Sequence, residues 1–160
     1  MNALTFLLIS GFLKMQGYLG ITLPSGETRE IIKSGGCGGV QVHFAQLSLV
    51  SIGFDINSTS GIISGTGNSS IKLFSVSPDL CITPPVFHNA IDLHAIVLLT
   101  KMYCENPSFK TSDNLVGAAG EASVRITEKP VKLFLMGKYS QYRGNTKVLE
   151  WFTIGFKLGF

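Results

Sequence analysis

The chain has 160 residues, a formal net charge of +3, 45% hydrophobic residues and 14% charged ones. One domain is the natural expectation at this length, and the charged share lies well below the roughly 25% of ordinary soluble domains. A mean hydropathy of +0.33 excludes a disordered chain, the small charge argues against a nucleic-acid binder, and no apolar stretch reaches the ~18 residues of a spanning helix.

The chain opens on an apolar run, Ala3 to Leu13 (ALTFLLISGFL). It has the length of a signal-peptide core but no basic residues ahead of it, since Lys14 follows, and no small-residue cleavage motif after it. Residues 1–15 read as a degenerate secretory signal or a leading segment. Residues 16–160 read as a single domain.

From there the dominant period is two, the signature of strands rather than helices. Leu19, Ile21 and Leu23 alternate with Gly20 and Thr22. Val40, Val42 and Phe44 alternate with Gln41, His43 and Ala45. Val50, Ile52, Phe54 and Ile56 alternate with Ser51, Gly53, Asp55 and Asn57. The stretch Ile71 to Thr83 is looser, and Pro78 predicts a bulge or an edge there. Leu93, Ala95, Val97 and Leu99 form one face of the next segment, whose other face (His94, Ile96, Leu98, Thr100) is also fairly apolar. Val116 to Thr127 and Val131 to Met136 follow the same rule. The chain ends with Phe152, Ile154, Phe156, Leu158 and Phe160 on one face and Trp151, Thr153, Gly155, Lys157 and Gly159 on the other.

These are eight segments, close to the 9–11 residues of a tilted membrane-spanning strand. The connectors Pro24 to Gly36, Asn57 to Ser70, Cys104 to Asn114 and Tyr142 to Lys147 are polar. Between them lie short links at Ala45–Gln46 and Thr127–Pro130 and a longer one from Pro84 to Ile91. Long loops at one end and short turns at the other are the pattern of a transmembrane barrel.

A soluble or secreted β-barrel that binds a small apolar ligand also alternates, with its apolar faces turned inward. Three features favour lipid. The other face is small and poor in charge. The charges it carries (Asp55, Glu121, Arg125, Lys138 and Lys157) share inward parity and suit a narrow interior. The exceptions on the apolar parity (Lys101, Tyr103, Tyr139, Glu150) fall near strand ends, where a charge costs about 0–1 kcal/mol instead of the ~2–4 of the midplane. Glu121 and Arg125 lie about 13 Å apart along one strand at ~3.3 Å per residue. Each is therefore expected to meet a cross-strand charge such as Lys138 or Lys157, or else to stand solvated near a rim.

The C-terminal stretch WFTIGFKLGF resembles the recognition signal of bacterial outer-membrane β-barrels, with Phe156, Leu158 and Phe160 as its apolar positions. The runs Gly39 to Ile56 and Leu115 to Tyr142 resemble their second and third, and sixth and seventh, strands. The chain from about Gly17 onward thus resembles the small outer-membrane barrels of the eight-stranded outer-membrane protein A type, of the porin family broadly. The resemblance implies an all-β, eight-stranded antiparallel up-and-down transmembrane β-barrel in the bacterial outer membrane, with outer-membrane lipid and the barrel-assembly machinery as partners. Lipid-facing residues would include Val50, Ile52, Phe54, Val124, Leu133, Leu135, Ile154, Phe156 and Leu158. The surface loops would do the recognising, for a ligand the sequence does not identify, or the barrel would serve the envelope. Trp151, the single Trp, has inward parity, which the resemblance does not account for.

Catalysis is not indicated. Ser51, Ser123 and Ser140 share the chain with His43 and His94, but no G-x-S-x-G motif is present. Cys37, Cys81 and Cys104 are widely spaced, and His43, His88 and His94 form no ligand run with them. Scattered thiols, or one disulfide and a leftover thiol in an oxidising compartment, are expected. No metal, no cofactor and no nucleic-acid partner is expected. His43 reads as an interior hydrogen-bonding residue.

Overall fold

The computed structural model describes residues 13–47, 49–64, 69–85, 90–106, 109–144 and 148–159. Eight strands follow in order: β1 (Lys14–Pro24), β2 (Ile32–Leu47), β3 (Val50–Ile63), β4 (Ser70–Ile82), β5 (Ile91–Asn106), β6 (Phe109–Thr127), β7 (Lys132–Arg143) and β8 (Val148–Gly159). A one-turn helix, α1 (Thr28–Ile31), lies between β1 and β2. Each strand pairs antiparallel with the next, and β8 pairs with β1, from Gln16 opposite Gly159 to Pro24 opposite Trp151. The sheet is therefore a closed barrel, and closure satisfies every ladder without leaving an edge. Each of the eight segments read from period two is one of these strands. The first twelve residues, which hold all but the last position of the signal-like run, and Phe160, the last position of the C-terminal signal, lie outside the described residues; β1 starts at Lys14, so the last two residues of the segment read as 1–15 belong to the barrel.

Period two carries through to burial. Along β3, Ser51, Gly53, Asp55, Asn57, Thr59 and Gly61 are buried, while Ile52, Phe54, Ile56 and Ile62 are exposed. Ile154, Phe156 and Leu158 of β8, Leu135 of β7 and Val124 of β6 point outward and are exposed, and Val50 and Leu133 point outward and are half-buried. The apolar faces do not line a cavity, which overturns the soluble ligand-binding barrel.

Pro78 produces neither bulge nor edge. It lies within β4, which is paired on both sides, opposite Phe54 of β3. Pairing with β5 lapses between Ser75–Thr100 and Asp79–Ile96 and resumes in the same register. Proline removes one donor, and Ser77 Oγ accepts from the Leu99 backbone N–H at 3.4 Å within the gap. Register shifts occur instead between His43 and Ala45 of β2, Ile32 and Gly35 of β2, and Arg125 and Thr127 of β6.

The expected contrast of long loops and short turns is absent. At the end that carries the barrel's two termini, the terminal end, connectors span 48–49, 83–90 and 128–131. At the far end they span 25–31, 64–69, 107–108 and 144–147. Much of what composition marks as loop is strand: Gly36 pairs with Ser60 and Cys104 with Thr111. Backbone ladders do not depend on hydropathy, so polar residues extend β2–β3 and β5–β6 beyond the apolar belt. The link read at Ala45–Gln46 is likewise inside β2.

The barrel lumen as candidate functional site

Inward side chains divide the lumen into two chemistries. The half toward the terminal end is polar. Asp55 accepts from Lys138 Nζ at 2.5 Å, from the Tyr18 hydroxyl at 2.8 Å and from Asn57 Nδ2 at 3.0 Å. Glu121 pairs with Lys157 and accepts from Gln41 Nε2 at 3.0 Å. Lys157 Nζ also donates to Gln41 Oε1 at 2.6 Å and to His94 Nε2 at 3.2 Å. Asp79 accepts from two rings, His43 Nε2 at 3.1 Å and His94 Nδ1 at 2.9 Å. A charge withdrawn from water is tolerable only with a partner of opposite sign and further hydrogen bonds; Asp55, Glu121, Lys138 and Lys157 each have both, and Asp79 is held by the two imidazoles.

Of the five charges read as interior, Asp55, Glu121, Lys138 and Lys157 are buried in this network. Its pairings cross the barrel. Glu121 stands beside Lys138 in the β6–β7 register, yet pairs with Lys157, while Lys138 pairs with Asp55. Arg125 does not join them. It follows the strand to the terminal rim, beside the register shift of β6, and meets Glu128 at 3.4 Å.

The far half is mostly apolar, although Thr59 and Ser140 are buried there too, beside Leu73 and Trp151. Trp151, 1% exposed, packs with Leu73, Leu98, Ile32, Ile71 and Leu115. Its inward parity is thereby explained: the indole packs inside the barrel among these apolar side chains. Gly61 of β3 admits it, since a Cβ there would meet Ile32 Cγ2 at 2.7 Å and Trp151 Cη2 at 3.0 Å. Apolar packing thus fills one level of the described lumen and paired charges fill the next.

Below the network, the terminal end opens into a vestibule of about 510 Å³, lined in part by Lys14, Gln16, Ser51, Thr83, Asp92 and Arg125. Asp92 is held there by Lys14 at 2.7 Å and by the Thr83 hydroxyl at 2.7 Å.

Among the described residues, none of Ser51, Ser123 and Ser140 hydrogen-bonds His43 or His94. Both nitrogens of His94 are engaged, by Asp79 and Lys157. His43 Nδ1 and Ser123 Oγ are buried and have no partner at all. What the sequence spacing conceals is a cluster: His43 of β2, Cys81 of β4 and His94 of β5 place ligand atoms within 4.8 Å of one another, all buried. This departs from the reading of scattered thiols and unlinked histidines. The three come from separate strands, so no linear motif announces them; the available signal was their shared inward parity. Gly53 of β3 lies in register between His43 and Asp79, and with no side chain there His43 reaches across β3. His88 lies outside the described residues.

No protein-family model matches the chain, and no curated protein does. Solved structures do. Neisserial surface protein A (NspA) aligns at a TM-score of 0.60 and 12% identity, over 92% of this chain and 95% of that one. Ail, the attachment invasion locus protein of Yersinia pestis, aligns at 0.60 and 10%, over 92% and 98%. The N-terminal β-barrel domain of Pseudomonas aeruginosa OprF aligns at 0.53 and 10%, over 92% and 97%. At such identities the likeness is one of fold: this chain has the closed eight-stranded barrel of those proteins. Among the described residues, no helix is long and apolar enough to cross a membrane.

Proposed function

We propose that this protein is an integral protein of the bacterial outer membrane that catalyses no reaction and conducts no bulk flow. One observation carries the reading. The described barrel presents apolar side chains outward around its circumference, from Leu19 and Ile21 on β1 through Phe74 and Val76 on β4 to Ile154 and Phe156 on β8, while charges are buried at its centre. That distribution inverts a water-soluble protein and matches a wall bathed in hydrocarbon. The barrel likeness to NspA, Ail and OprF supports the same membrane. Outer-membrane lipid is then the principal contact, and the barrel-assembly machinery the partner that reads the C-terminal Phe156–Leu158–Phe160 pattern.

With the lumen filled, contacts with other molecules fall to the far rim, where strand ends and short connectors meet water. Its ligand, if the rim binds one, is set by side chains that carry no recognisable motif. The alternative is an envelope-structural role for the wall itself.

The test is heat-modifiable gel mobility of detergent-extracted membranes. A barrel in lipid is expected to run faster unheated than boiled. Recovery in the aqueous fraction with a single mobility would overturn the membrane assignment. Planar-bilayer recordings are expected to show no stable channel.

A further inference from the structure

We propose that His43, Cys81 and His94 form an intralumenal binding site for a divalent transition-metal ion of the zinc type, filled from the vestibule. Two imidazoles and a thiolate are a donor set suited to such ions and poorly suited to calcium or magnesium. All three residues are buried, and their ligand atoms already lie within 4.8 Å of one another. Around a tetrahedral zinc, at about 2.0–2.1 Å to nitrogen and about 2.3 Å to sulfur, such atoms stand roughly 3.4–3.6 Å apart. Rotamer adjustments of about an ångström close the set and leave a fourth position open.

Three further observations point the same way. Asp79 hydrogen-bonds both rings, at 3.1 Å and 2.9 Å. A carboxylate behind a ligating histidine fixes the tautomer and raises the basicity of the other nitrogen, which is the free Nδ1 for His43 and Nε2 for His94, from which the Lys157 ammonium must withdraw when the ion binds. His43 Nδ1 is buried without any partner, a costly arrangement for an imidazole that has no other task. Charge is the third. Lys138 offsets Asp55, and Lys14 offsets Asp92. With both rings neutral, as ligation requires, Asp79 and Glu121 then face Lys157 alone, a surplus of one negative charge that the Cys81 thiolate formed on binding raises to the two of a divalent cation. On binding, the Cys81 S–H bond is replaced by an S–metal bond and the proton leaves to solvent.

A route exists. Thr83 and Asp92 line the vestibule, and Cys81 Sγ lies 4.0 Å from Thr83 Oγ1. An ion drawn by Asp92 is thus one step from the thiol.

The experiment uses the full chain refolded in detergent, with Co²⁺ as spectroscopic probe and Zn²⁺ as competitor, added both during and after refolding. Folding is checked by heat-modifiable mobility. One equivalent of Co²⁺ is expected, with a thiolate-to-metal charge-transfer absorption that Zn²⁺ abolishes. Cys81→Ala should remove that absorption in a barrel that still folds, whereas Cys37→Ala and Cys104→Ala should keep it. Asp79→Asn, which retains a hydrogen-bonding shape, should weaken binding roughly 10–100-fold, as loss of a carboxylate behind a ligand does. A folded wild-type barrel with no thiolate absorption under either condition would overturn the site. So would an absorption that survives Cys81→Ala, or one that Asp79→Asn leaves unchanged.

Discussion

The two halves of the lumen solve one problem, filling a narrow cylinder, by opposite means. Toward the far end, Trp151, Leu73 and Leu98 fill it by volume. Toward the terminal end, Asp55–Lys138 and Glu121–Lys157 fill it with charges whose partners lie on other strands. Apolar packing is tolerant: groups of similar volume substitute for one another at modest cost. Ion pairs are directional, and one lost partner strands the other in a medium that cannot solvate it. The far half therefore seals, while the terminal half fixes which strand sits beside which. We expect the two to fail differently.

The largest effect is expected in the polar half. Lys157→Met leaves Glu121 buried beside no cation of its own and should lower unfolding stability by about 3–5 kcal/mol, read by urea titration of the barrel in lipid vesicles. Adding Glu121→Gln should restore most of the loss. A single variant as stable as the parent would show that the pair does not hold the register. Reversing the charge with Glu121→Lys should leave no folded barrel.

The apolar half should answer with a cavity rather than a stranded charge. Trp151→Ala is expected to cost about 3–5 kcal/mol, toward the lower end if the lumen relaxes. It should also admit water, so bilayer recordings should show leak conductance that the polar-half variants lack. Trp151→Phe should cost much less, because the indole N–H has no partner to lose. Leak from Lys157→Met but none from Trp151→Ala would reverse the assignment of seal and register.

The halves were unequally legible in the sequence. Outward faces were plain, because period two is a local property of each strand and Ile52, Phe54, Ile154 and Phe156 announce it residue by residue. Parity also placed Asp55, Glu121, Lys138 and Lys157 inside. It could not pair them, since Asp55 and Lys138 are 83 residues apart and meet through barrel closure and stagger. The apolar seal was half visible: Ile96 and Leu98 made the second face of β5 oily, and Trp151 had inward parity, but its neighbours come from other strands. Strand ends escape the sequence because hydropathy marks where lipid stops, not where hydrogen bonding stops; Gly35, Gly36 and Thr111–Asn114 lie outside the apolar pattern and are still in the ladder. The His43–Cys81–His94 cluster was invisible to spacing for the same reason as the ion pairs.

The outer wall sets the scale for both halves. Phe156→Lys puts a charge on the outward face of β8 and should cost about 2–4 kcal/mol if that position lies near the midplane, less toward the interface. The loss should appear as a reduced yield of heat-modifiable barrel in the membrane. Its neighbour Lys157 differs by one residue and lies on the opposite face, so the two penalties have different origins. Moving to a thinner bilayer should ease the first and leave the second unchanged.

The smallest effect isolates burial from charge. Lys72 and Glu105 form an ion pair at 3.4 Å on the exterior near the far end, with side chains 56% and 43% exposed. Chemically this is the pairing of Lys157 with Glu121, placed in water. Solvent and salt screen it, and ordering two long side chains offsets much of the attraction. Lys72→Ala should therefore change stability by less than about 1 kcal/mol, and raising the salt concentration should shrink even that difference. Lys157→Met should be nearly salt-independent, because counter-ions do not reach its partner. Equal salt sensitivity of the two variants would mean that water penetrates the polar half, and the lumen would then be sealed by Trp151 and its neighbours alone.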